Sequence, residues 1–145
     1  MTIARRRTRV RRMWRCALAL LLASSVSALA QSAPKHYLST ASNNSTLIIA
    51  RPSLLKMLSI SNTTATLYYV KFYNKVTAPT CGTDVPVLTL PAPASAAGGA
   101  PVSPNLSDGL LFPLGIGFCI TAGLADNDNT SAATGVALDV GVTAR

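Results

Sequence analysis

The clearest pattern in the chain is an alternation over residues 66–75. Tyr68, Val70 and Phe72 fall on one side of an extended strand, and Leu67, Tyr69, Lys71, Tyr73 and Lys75 fall on the other. A period of two in β-branched and aromatic residues predicts a strand whose first face is core. Weaker versions of the pattern recur on both sides. Residues 46–50 form a short apolar run halted by Arg51-Pro52, and residues 54–61 alternate at their end, with Leu58 and Ile60 opposite Ser59 and Ser61. Further strands are predicted at 87–90, 110–114 and 116–121, and a last one at 134–143 places Val136, Leu138, Val140 and Val142 on one face. Turn residues separate the runs, Asn62-Thr63-Thr64 and the bend at Pro113 and Gly115 among them. About seven short strands with no amphipathic helix between them predict an all-β domain, an antiparallel β-sandwich or a jelly-roll-like arrangement.

The amino-terminal pattern is of another kind. Seven arginines (5, 6, 7, 9, 11, 12 and 15) precede the apolar run of residues 16–23, and small residues follow up to Ala28-Leu29-Ala30. Basic region, apolar region and A-x-A site together predict a cleavable signal helix over 1–30, removed near Ala30. Its apolar part, about 15 residues long, is shorter than the roughly 20 that a spanning helix requires. No other segment approaches that length, so the mature chain is expected to have no membrane span and to be secreted or periplasmic. Whether export runs through the general or the twin-arginine route is open, since Arg11-Arg12 sits in an arginine-rich setting.

The leader changes what the charge means. The whole chain carries a formal +8, which would suit a nucleic-acid or anionic-membrane partner. Beyond residue 30 there are six basic residues (Lys35, Arg51, Lys56, Lys71, Lys75, Arg145) against five acidic ones (Asp84, Asp108, Asp126, Asp128, Asp139), a net +1. A phosphate-driven interface loses its support, and no nucleic-acid partner is expected. The remaining organisation is a flexible, partly ordered arm over 31–44 and a single β-sandwich domain over 45–145, with a low-complexity excursion at 91–104.

Removing the leader also removes Cys16 and leaves Cys81 and Cys119. In an oxidising compartment such a pair reads as one disulfide, worth about 4 kcal/mol by the chain-entropy argument, with two buried free thiols as the alternative.

Candidate chemistry is sparse. The chain has one histidine, His36, in the arm, and no glutamate, so a nucleophile would depend on the arm folding back to supply its base. The chain is read as no enzyme; a secreted hydrolase completed by His36 is the alternative from the catalytic class. The run from Asp126 through Asn127, Asp128, Asn129 and Thr130 offers Asp126 and Asp128 as weak metal candidates. It lacks the glycine and the glutamate that an EF-hand loop places at its sixth and twelfth positions, and it reads more simply as a polar turn. No cofactor is expected. The row Tyr69, Lys71, Tyr73 and Lys75 combines aromatic faces with cations and is a possible binding face, unless a second element covers it.

Three segments, Leu58 to Thr66, Tyr69 to Pro86 and Gly115 to Thr130, taken in order, resemble a group of small phage and prophage proteins regarded as virion or tail-associated β domains. Cysteine in both the T-A-P-T-C and G-F-C-I-T segments agrees with a Cys81–Cys119 disulfide. The resemblance implies a structural role in a virion, whereas the leader implies a location outside the cytoplasm. The expectation is therefore an exported, non-catalytic structural or binding module. Its expected partners are proteins or cell-surface components, and a virion decoration or tail component is the alternative.

Overall fold

A computed structural model describes residues 33–95 and 101–145; the predicted leader and its cleavage site lie outside them. Eight strands follow one another: β1 (Lys35–Leu38), β2 (Thr46–Ile49), β3 (Ser53–Asn62), β4 (Tyr68–Asn74), β5 (Leu88–Ala92), β6 (Leu110–Phe112), β7 (Ile116–Thr121) and β8 (Val136–Ala144). They form two four-stranded sheets, ordered β1-β8-β3-β6 and β2-β7-β4-β5, and every pairing is antiparallel.

The order has a simple logic. Strand one pairs with eight, two with seven, three with six and four with five, as in a single long hairpin folded on itself. Rolling that hairpin adds the contacts β3 to β8 and β4 to β7, and the result is a β-sandwich with the eight-stranded jelly-roll order.

Alternation decides which side chains meet between the sheets. Tyr68, Val70 and Phe72 from β4 face Leu58 and Ile60 from β3 and the four apolar residues of β8, with Ile116, Phe118 and Ile120 from β7. Phe118 is central: the Tyr37 ring meets it edge-on at 5.1 Å and 70°, and Phe72 lies 6.4 Å away at 50°. The imperfect alternation over 54–61 has a local cause. A register shift against β8 between Leu55 and Met57 inserts an extra residue, so Leu55 and Leu58 both point inward although they are an odd number apart. Pro91 lies in β5, the edge strand of its sheet, where a missing N–H costs no ladder bond.

Two expectations are corrected. The strand absent from the sequence reading is β1, inside the stretch assigned to a flexible arm. His36 and Tyr37 pair with Asp139 and Leu138, and Ser39 fastens the next turn by donating from N to Val136 O (2.8 Å) and from Oγ to Ala133 O (2.7 Å). The excursion over 91–104 also returns to the sheet: Val102 exchanges two backbone hydrogen bonds with Ile60, of 2.8 and 2.9 Å. Among the described residues no helix is long and apolar enough to cross a membrane.

Candidate functional site: the covered face of the second sheet

The outward row of β4 sits in the middle of the second sheet, flanked by β7 and β5, and two loops lie over it. One loop, 75–87, joins β4 to β5; the other, 122–135, joins β7 to β8. Of the four residues proposed as a binding face, Lys71 and Tyr73 are wholly buried, and Tyr69 and Lys75 are partly exposed. The row is therefore a floor beneath the loops rather than an open surface, and this corrects the binding-face expectation. Alternation could state which way these side chains point but not what covers them.

The cover over Lys71 is backbone. Its Nζ donates to the carbonyl oxygens of Ala125 (2.5 Å) and Asp128 (3.2 Å). Desolvation lowers its pKa from the ordinary 10.5, and the charges of Asp128 and Asp126 partly oppose that. A lysine thereby closes the loop that a metal ion would close in a calcium site.

Asp128 is occupied as well. Its carboxylate accepts from the backbone N–H of Gly123 and of Thr130 (3.0 Å) and from Thr130 Oγ1 (2.8 Å). Burial raises its pKa, but these bonds and the Lys71 charge outweigh that and hold it below 3.8. Asp126 is exposed, and among the described residues no group of three or more His, Cys, Asp or Glu is placed to hold a metal ion.

The other loop is held by the Cys81–Cys119 disulfide, with a Cα–Cα distance of 6.1 Å. The two cysteines and Tyr73 make a small apolar cluster on the outside of the sheet, separate from the core between the sheets. Glycine permits the approach at Gly117, where a Cβ would stand 2.8 Å from Pro79 Cδ. Lys75 Nζ bonds Asp84 Oδ2 at 2.5 Å, and the same oxygen accepts from Thr80 N at 2.6 Å. The Lys75 bond first, then the Thr80 bond, holds Asp84 below 3.8. Gly82, at φ +79°, brings the two loops together, and a Cβ there would lie 2.8 Å from Asn127 O. Beneath them the Tyr73 hydroxyl is buried with no hydrogen-bond partner among the described residues. Burial, reinforced by Asp84 and Asp126, pushes its pKa up to about 12.

His36 lies elsewhere, on the outer face of the first sheet, with Nδ1 2.7 Å from Asp139 Oδ1. Across β8, Asp139 is in register with Ser59. Catalytic triads place the imidazole between hydroxyl and carboxylate, whereas here the carboxylate is the middle member and β1 is the sheet's edge. An open cleft of about 390 Å³ lies at one margin of the sandwich, lined by Lys35, Ile49, Ala50, Arg51 and Val142.

Comparison with protein-family models, curated proteins and solved structures finds no match to this chain.

Proposed function

We propose that the chain is an exported, non-catalytic module that acts by binding or by building structure, with proteins or cell-surface components as partners. The observation that carries this is the Cys81–Cys119 disulfide, a crosslink suited to oxidising compartments, in a domain whose predicted leader directs it there. The order His36, Asp139, Ser59 across the first sheet supports the non-catalytic reading against the hydrolase alternative. The test is to express the full chain in a bacterium with its own leader and follow it by cell fractionation and intact mass, with and without reductant and alkylation. Recovery from periplasm or medium, shortened near Ala30 and with both cysteines protected until reduction, is the expected result. Cytoplasmic, unshortened protein with two alkylatable thiols would sink the reading.

The jelly-roll strand order favours a second reading, a virion decoration or tail component, because viral capsid domains are among the proteins that use this architecture. It agrees with the phage-protein resemblance of the three segments between Leu58 and Thr130. Copurification with phage particles through a density gradient supports it; recovery only from the periplasm or medium removes it.

A further inference from the structure

We propose that Cys81–Cys119 is a thiol-operated latch: its reduction lifts the 75–87 loop off Tyr73 and opens the Tyr73 and Lys75 half of the β4 row while the sandwich stays folded.

Four observations support the latch. First, the disulfide belongs to the small outer cluster with Tyr73 and takes no part in the core between the sheets, so breaking it leaves that core intact. Second, the loop's other hydrogen bonds are mostly its own: Lys75 to Asp84, and Thr80 to Thr83 and Asp84. Beyond the disulfide, its ties to the body are backbone bonds at its two roots, Lys75 N to Gly115 O (3.1 Å) and Val87 N to Phe72 O (2.8 Å), and between them the Ser45 hydroxyl on the Pro79 carbonyl, the packing of Pro79 on Gly117 and the touch of Gly82 on the 122–135 loop. Third, the closed state leaves the Tyr73 hydroxyl without a partner, and an unpaired buried hydroxyl favours any opening that admits water. Fourth, the loop's outer face is already wet, with Val76, Val85 and Val87 exposed, so the apolar surface that lifting uncovers is confined to Tyr73, Pro79 and the two cysteines.

The chemistry balances with a dithiol as reductant. Its thiolate attacks Cys81 Sγ, the more accessible sulfur at 6% residue exposure against 0% for Cys119. The Sγ–Sγ bond breaks and Cys119 leaves as a thiolate that takes up a proton. The second thiol of the reductant, as its thiolate, then displaces Cys81 from the mixed disulfide, and Cys81 is protonated. Two electrons and two protons enter the protein, and the dithiol becomes a disulfide. Lys71 stays covered, because its bonds run to Ala125 and Asp128 in the other loop.

The experiment compares oxidised protein, protein reduced with dithiothreitol and alkylated, and the C81S/C119S variant. Each is treated with tetranitromethane, and nitration is mapped by mass spectrometry, with the partly exposed Tyr69 as internal reference. The latch predicts that nitration at Tyr73 relative to Tyr69 rises at least about tenfold in both opened forms, with an unchanged far-UV CD spectrum and a cooperative melt. Tyr73 remaining protected in a folded, opened protein overturns the latch. Loss of the sheet spectrum on opening overturns it too, since the disulfide would then hold the domain and not the loop.

Discussion

Replacing Lys71 by Met tests whether the amine pins the 122–135 loop. Methionine keeps an unbranched stem of similar volume, so packing between Cys119 and Thr89 on the neighbouring strands is largely retained. What disappears is a charged donor with two acceptors, at 2.5 and 3.2 Å. Hydrogen bonds from charged groups contribute about 1.5–3 kcal/mol each; the longer one counts for less, and the relieved desolvation of the ammonium works the other way. The Ala125 and Asp128 carbonyls belong to a surface loop and can be rehydrated, which limits the penalty further. The expected net loss is about 1–3 kcal/mol, a fall in Tm of roughly 4–15 °C for a domain of this size. Calorimetry gives the loss, and hydrogen exchange locates it: faster exchange should be confined to residues 122–132. K71M protein as stable as the parent, with unchanged exchange there, would show that burying the charge costs as much as its bonds return.

Four further outcomes follow from the same geometry. Tyr73→Phe removes a hydroxyl that has no partner among the described residues, so Tm at neutral pH should hold or rise; a loss above about 1 kcal/mol would reveal a bond to that oxygen. Phe118→Ala empties the centre of the core and strips Tyr37 of its ring contact, costing about 3–5 kcal/mol in denaturant unfolding, and a smaller loss would mean the sheets close over the gap. Gly82→Ala forces alanine to φ +79° against Asn127 O and should cost about 1–3 kcal/mol with faster exchange in both loops; an unmoved Tm would refute the inter-loop contact. Asp84 and Asp128 titrate below 3.8 when folded, so the stability they add is complete above that value and is lost as pH falls through their lower folded values; Asp84→Asn should flatten the acid limb, and an unchanged limb would remove the Lys75 pair from the account.

Seven of the eight strands were legible as apolar runs, because each contributes inward residues at a spacing of two, and at β3 even the break in that spacing marked a real bulge. β1 was not legible. Lys35-His36-Tyr37-Leu38 sits at the sheet's edge and buries only part of Tyr37, so it leaves no alternating signature. The disulfide followed from the number of cysteines left once a predicted leader is set aside. What the sequence could not announce was the cover over Lys71 and Tyr73. The covering groups are main-chain carbonyls and small residues in Gly-, Pro- and Asn-rich loops, whose side chains lack the bulk by which one reads burial. Asp126 and Asp128 stood out as a pair for their type, yet of the two only the Asp128 carboxylate accepts hydrogen bonds among the described residues. The one from Thr130 N is the turn bond two residues on that a polar Asx turn expects, whereas the one from Gly123 N lies outside that pattern.

The pairing of β8 between β1 and β3 also fixes when this chain can fold. The first sheet has the last strand as an interior member, so it cannot close until residues 136–144 are available. A chain emerging from a ribosome therefore exposes unpaired β1 and β3 edges until residues 136–144 have emerged as well. Such distant pairings make folding slow, on the scale of milliseconds to seconds, and leave time for the chain to be held unfolded by other proteins. A product ending before β8 would lack an interior strand of that sheet and would present those edges to aggregation.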